Sequence, residues 1–272
     1  MSDQRPRAVV LSSTSVDGRV SLGPGRIWTD DLEDPRRGRP AAGPGASEAW
    51  EEAKAYILRT WQPRAEWQGT GSFVRDGEPP RPLPPWERDS ALYTDYMPAA
   101  LASKASTLNW LVVTDGRGRL RGGYTGTERH NHHMLHLTSR AAPAEYLAFL
   151  RQHKIPCWIV GERRVDLPLA LRRLREELQV ISLLSEAGAR LNGALLRAGL
   201  VDELHPILRP DLIGGTATPT LFDGPDLAPN AWPTPLRLRA ATVRAGGTLW
   251  LRYTVDRCAD GACARGEQAG GE

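Results

Sequence analysis

The sequence is short of cysteine, of lysine and of long apolar runs, and each shortage excludes something. Three cysteines in 272 residues cannot build a disulfide framework. No stretch approaches the roughly 18 uninterrupted apolar residues that read as a membrane-crossing helix. The first residues, Met1 to Arg7, are polar and lead straight into a strand-like segment, so a secretion signal is not expected and a cytoplasmic location is. Lysine occurs only at Lys54, Lys104 and Lys154, so arginine supplies 32 of the 35 basic residues, against 32 acids. These charges are interleaved, and the net charge is +3. A dedicated nucleic-acid binder needs a concentrated basic stripe; none is present. The arginine excess reflects either gene composition or oxyanion recognition, for which the planar guanidinium is suited.

What is present suits one large α/β domain or two small ones, with 40% hydrophobic residues to fill a core. Val9-Val10-Leu11-Ser12-Ser13 reads as a first strand, Asp17-Gly18 as a turn, and Arg19–Leu22 as a second extended piece. Ala49 to Thr60 has helical spacing, with Trp50, Ala53, Ile57 and Leu58 on one face. Six prolines between Pro79 and Pro98 argue against regular structure there. The aromatic residues in and around this stretch (Trp61, Trp67, Trp86, Tyr93, Tyr96) are expected to bury against a partner subunit, with a lid over a bound ligand as the alternative.

Further strands are predicted at Trp110–Thr114, Leu135–Thr138, Cys157–Val160, Val180–Leu184 and Glu203–Leu208, alternating in the second half with helices at Ala144–His153, around Leu167–Leu178 and at Ala189–Ala198. Leu236 to Val255 reads as a hairpin about Gly246-Gly247. The alternation implies a mainly parallel sheet covered by helices on both faces, with a C-terminal antiparallel hairpin. One domain over residues 1–256 is expected, with an insertion at about 79–106 and a disordered Gly- and Ala-rich tail at 257–272. His130, His132, His133 and His136 read as a solvated loop, and no metal is expected there.

The strongest local signal is Leu183-Leu184-Ser185-Glu186-Ala187-Gly188-Ala189-Arg190-Leu191-Asn192-Gly193-Ala194. A buried strand ends in an acid, and small residues then open a helix whose first amides can hold a phosphate. A ligand-free strand-to-helix turn would look the same. Continued through Leu200-Val201-Asp202-Glu203-Leu204 to Pro210-Asp211-Leu212-Ile213-Gly214-Gly215, the stretch resembles the reductase domain of the riboflavin-biosynthesis deaminase-reductases. Ser13-Thr14-Ser15-Val16-Asp17-Gly18-Arg19 is similar to that family's opening Ser-Leu-Asp-Gly-(Lys/Arg). Gly69-Thr70-Gly71-Ser72-Phe73-Val74-Arg75-Asp76 is a weaker third match: Gly77 replaces an acid and Pro79 falls one residue late. The zinc deaminase signature is absent.

The resemblance implies a dihydrofolate-reductase-like fold, NADPH as hydride source, and reduction of the ribosyl group of 5-amino-6-(5-phosphoribosylamino)uracil to ribityl. It also implies a homodimer that takes a small-molecule substrate. It assigns the cofactor phosphates to Gly188, Ala189, Arg190, Leu191, Asn192, Gly193 and Ala194. Thr14, Trp28, Ser72 and Thr138 or Ser139 line the rest of the groove, bordered by Asp76. On the substrate side it places Glu186, Asp76, Arg59 and Arg26, the last standing where the family has serine in Ser-x-Trp. Asp76 is the expected proton relay, and Glu186 would grip the pyrimidine N–H groups. Asp17 reads as a turn residue rather than a catalytic one. The alternatives are a related NADPH reductase acting on a pterin or other heterocycle, and a non-catalytic nucleotide-binding protein.

Overall fold

A computed structural model describes residues 4–26, 45–75, 77–126 and 132–256. Nine strands form one sheet: β1 Arg7–Ser15, β2 Ala65–Gly69, β3 Asn109–Thr114, β4 His132–Thr138, β5 Cys157–Ile159, β6 Ser182–Ser185, β7 Glu203–Arg209, β8 Leu236–Val243 and β9 Leu249–Val255. The order across the sheet is β5-β4-β3-β2-β6-β1-β7-β9-β8. Strands β1 to β7 pair in parallel, while β9 runs antiparallel to β7 and to β8. The expected parallel sheet with a terminal antiparallel hairpin is the architecture observed. The β8–β9 turn holds Gly246 and Gly247 at φ 67° and 83°, conformations that strain any residue with a Cβ.

Five helices accompany the sheet in the described residues: α1 Ala46–Trp61, the single turn α2 Ala99–Ala102, α3 Ala144–Gln152, α4 Leu167–Leu178 and α5 Ala189–Arg197. Helix α1 buries Ala49, Ala53 and Ile57 against Val9, Leu11, Leu184, Ile207 and Trp250 on one face of the sheet. Ile57 is fully buried, and truncation to Ala would cost about 3 kcal/mol. On the other face α4 and α5 contribute Leu171, Leu174, Leu178 and Leu195 to a core with Val10, Trp67, Trp110, Val112 and Leu183. Helix α4 begins where predicted because Asp166 caps Leu169 N at 2.9 Å and proline occupies the first turn.

Three local expectations are corrected. Strand β6 starts at Ser182 rather than Val180, because Gln179 closes α4 in a left-handed conformation and Val180 N donates back to Leu174 O. Arg19–Leu22 forms no strand; a single bridge joins Arg19 to Thr220. His132, His133 and His136 lie in β4, not in a solvated loop, and His136 is fully buried; His130 lies outside the described residues. The tail from 257 lies outside them too.

The proline-rich stretch packs in part on its own chain. It contains short 3-10 turns and α2, and it docks on this chain's own sheet edge. Tyr96 and Cys157 exchange backbone hydrogen bonds of 2.8 and 2.9 Å. Tyr93 is buried, its hydroxyl donating to Ala142 O at 3.0 Å. Asp95 accepts from Ile159 N at 2.8 Å and pairs with Arg173 at 2.5 Å. Trp67 belongs to the centre of the sheet, where its Nε1 donates to Thr114 Oγ1 at 2.8 Å. Trp61 closes α1, with Nε1 donating to Glu203 at 3.1 Å. Trp86 remains exposed. The apolar stretch therefore seals the β5 edge, which would otherwise present open backbone groups.

Candidate active site

In a parallel sheet, ligands meet the carboxyl ends of the strands, where loops and helix N-termini converge. Here those ends are tied together by hydroxyls. Thr70 Oγ1 donates to Thr114 O at 2.7 Å, and Thr138 Oγ1 donates to Asp115 O at 2.8 Å. Asp115 is buried and accepts from Arg119 N and Leu120 N at 2.9 and 2.7 Å. Ser139 is fully buried; its hydroxyl donates to Gly116 O at 3.0 Å and accepts from Ala141 N at 3.3 Å. Thr14 is also buried and donates within the β1 turn, to Ser15 O and Arg19 O at 3.2 Å. Both hydroxyls are spent on hydrogen bonds within the chain, at the carboxyl ends of β1 and β4. Ser72 is exposed beside β2.

Asp17 behaves as the turn residue expected from the sequence. Its carboxylate accepts from Ser15 Oγ at 2.5 Å, Gly214 N at 2.7 Å and Ile213 N at 3.2 Å. The Ser15 hydrogen bond, followed by those amides, lowers its pKa to about 2. It ties the β1 turn to the loop after β7.

Beyond β6 the chain resolves into two kinds of position. Gly188 precedes α5 with φ −72° and ψ 171°, an extended conformation open to any residue, and a Cβ built there would meet nothing within 4 Å. No side chain caps α5, so its first turn presents backbone donors and the positive end of the dipole. Gly188, Arg190 and Ala194 face outward. Asn192 and Gly193 are buried and do structural work. Asn192 bridges Ser185 Oγ at 3.1 Å and Ala187 O at 2.8 Å. A Cβ on Gly193 would lie 1.8 Å from Asp223 O. Ala189 is buried and Leu191 is half-buried beside Gly69. A helical period cannot turn seven consecutive side chains to one side, so what stands open here is the backbone of the first turn.

Glu186 leaves β6 toward α1. Its side chain is 10% exposed, and Lys54 Nζ lies 3.0 Å from Oε1 and donates to Oε2 at 3.2 Å. Oε1, though buried, accepts no hydrogen bond. Lys54 also lies 3.5 Å from Glu66 on β2, and His132 Nε2 on β4 is 3.7 Å from the same Glu66 oxygen. Burial pushes the Glu186 carboxyl up; Lys54 opposes this, Glu66 and Glu51 add to it, and the net shift is upward. Burial works against the Lys54 charge, but Glu186 and Glu66 outweigh it and its pKa is raised.

The structure thus places Thr14, Ser72, Ser139, Glu186 and the Gly188–Ala194 segment at or just beyond the carboxyl ends of parallel strands. It does not bring Arg59 there. Arg59 is exposed in the last turn of α1, beside the Trp61 and Glu203 end of the sheet, about 7 Å along the axis from Lys54. Arg26 is exposed, with its amide donating to Gly23 O at 3.3 Å. Trp28 and Asp76 lie outside the described residues. The sequence reading missed Lys54 and Glu66. The available signal was a charge beside the apolar stripe of α1 and an acid between Ala65 and Trp67.

The RibD C-terminal domain family matches residues 96–251, more than half of the chain. The chain belongs to the RibD C-terminal domain family. Among similar proteins, a 2,5-diamino-6-ribosylamino-4(3H)-pyrimidinone 5′-phosphate reductase of Methanothermobacter thermautotrophicus is 37% identical over 117 residues, 43% of this chain and 53% of that protein. The reductase of the same name from Aquifex aeolicus is 33% identical over 107 residues, 39% of this chain and 47% of that one. The matches span about half the length of these relatives. The same fold occurs in a pyrimidine reductase-like protein of Corynebacterium diphtheriae (TM-score 0.59, 18% identity, 93% of both chains covered). It also occurs in Acinetobacter baumannii RibD, with TM-score 0.57 and 16% identity, covering 93% of this chain and 58% of that one. The RibD C-terminal domain match begins inside the proline-rich stretch, at its contact with β5.

Proposed function

We propose that this chain is an NADPH-dependent reductase of riboflavin biosynthesis that reduces the ribosyl group of 5-amino-6-(5-phosphoribosylamino)uracil to ribityl. The observation that carries the reading is Glu186: a nearly buried carboxylate paired with Lys54, one of whose oxygens accepts no hydrogen bond, two residues before the open, uncapped start of α5. The Gly188 turn suits the cofactor phosphates, because its amides are oriented and a glycine there leaves room that neither φ nor packing requires. NADPH supplies the hydride. Glu186 accepts from the amino and ring N–H groups of the pyrimidine and holds the sugar carbon in line. Reduction requires the ribose to open to an imine, whose nitrogen gains a proton as its carbon gains hydride; Asp76 is assigned to that relay. Arg59 is left out of the reading because of its place at the far end of α1. The proposal includes a homodimer in the cytoplasm, without nucleic-acid or membrane partners. Among the described residues no helix is long and apolar enough to cross a membrane.

The names of the two similar reductases specify a diaminopyrimidinone 5′-phosphate, so a second reading exchanges the uracil for that ring. The test follows NADPH absorbance with both pyrimidines and with dihydrofolate in parallel. Oxidation with a pyrimidine and not with dihydrofolate is expected. Glu186→Gln should lower turnover by about a hundredfold or more while NADPH affinity is kept. Nucleotide binding without oxidation by any substrate would overturn the assignment in favour of a non-catalytic nucleotide-binding protein.

A further inference from the structure

A lysine that turns inward from the rim of an apolar helix face loses hydration and needs close partners to offset the loss. Lys54 finds two carboxylates, Glu186 at 3.0 Å and Glu66 at 3.5 Å. The charged groups around Glu186 are Lys54 and Glu51 from α1 and Glu66 from β2, with His132 from β4 beside Glu66. Within this cluster Lys54 Nζ lies 3.0 Å from Oε1 and donates to Oε2, while Oε1 is buried and accepts no hydrogen bond. Buried oxygens are rarely left so, and an ionised one calls for an N–H from a ligand.

We propose that Lys54 is a positioning residue for Glu186: its ammonium holds the carboxylate against α1 and leaves Oε1 to accept from the ligand in the groove. The inference rests on the reading of Glu186 as the substrate-facing acid. It makes Lys54 a determinant of pyrimidine recognition through Glu186, with no direct part in hydride transfer. Because Glu186 sits between one cation and two other acids, removing Lys54 and removing Glu66 must push its ionisation in opposite directions. A packing role predicts no such opposition.

The experiment is an infrared titration of ligand-free protein labelled with 13C-glutamate, the Glu186 band being assigned by its loss in Glu186→Gln. Lys54→Met should raise the Glu186 titration by about one pH unit or more. Glu66→Gln should lower it, and Lys54→Arg should keep it near wild type. In turnover, Lys54→Met should raise KM for the pyrimidine and move the acid limb of kcat/KM by the same amount, with NADPH affinity unchanged. A Glu186 band that stays put in folded Lys54→Met, or that shifts in the same direction in Lys54→Met and Glu66→Gln, would overturn the proposal. If Lys54→Met does not fold, the opposite pair Lys54→Gln and Glu66→Gln decides it. Wild-type protein that titrates as expected but oxidises no NADPH with a pyrimidine would uphold the positioning and overturn the substrate reading alone.

Discussion

At the scale of single residues, burial decides what an ionisable group does. His136 is fully buried in β4, with Nδ1 2.7 Å from the Tyr146 hydroxyl. Burial depresses its pKa from 6.5 to about 4, against a smaller opposing pull from Asp115. The unfolded chain therefore takes up a proton that the folded chain resists, so acid favours unfolding. Stability present above pH 6.5 should fall by about 3 kcal/mol as pH drops through about 4. Urea unfolding at a series of pH values checks this, and His136→Gln should be flatter over the same window. The histidine cluster read as solvated in the sequence because spacing alone does not distinguish a half-buried strand from a polar loop. Only its pairing with Asn109–Thr114 of β3 puts His136 inside.

At the scale of elements, the strand–turn–helix from Ser182 to Arg197 separates packed positions from open ones. Two glycines five residues apart have opposite roles. Gly193 is where α5 passes under Asp223, whose carboxylate is itself held by Thr220 N at 2.9 Å. Gly193→Ala must push that loop away, at a cost of about 1–3 kcal/mol, read as a lower urea midpoint. Gly188→Trp points into open space, so its stability should lie within about 0.5 kcal/mol of wild type, while NADPH binding should be lost. Undiminished NADPH binding would put the phosphates elsewhere. The pattern of small residues was legible in the sequence, and it marked this turn. Which glycine is packed and which is open was not, because that depends on a segment thirty residues downstream folding back over the helix.

At the scale of the whole molecule, a nine-stranded sheet has two edges, and the chain treats them differently. The β5 edge is closed by Tyr96, and Asp95 anchors the closure through Ile159 N and Arg173. Asp95→Ala should cost about 1–2 kcal/mol in urea unfolding and speed hydrogen exchange at Cys157 and Ile159. Equal exchange in both proteins would mean that the proline-rich stretch docks by its aromatics alone. From composition this stretch looked like an arm for a partner; its prolines forbid helix and strand over most of its length, but they do not forbid docking. Tyr93 and Tyr96 reach their contacts only because β5 is the outermost strand.

By itself the sequence determined most of the element types, because apolar periodicity and turn residues act over a few neighbours: Asp166 and Pro168 start α4, and Gly246-Gly247 turn the last hairpin. It also determined the family motif around Glu186 and Gly188, whose residues are contiguous. Only the tertiary structure decided which charges share one environment. Lys54, Glu66, His132 and Glu186 come from α1, β2, β4 and the end of β6, and they meet because β2 lies between β3 and β6. Strand order is set by long-range packing, and a buried cation's need for carboxylate partners is felt only once that packing has excluded water.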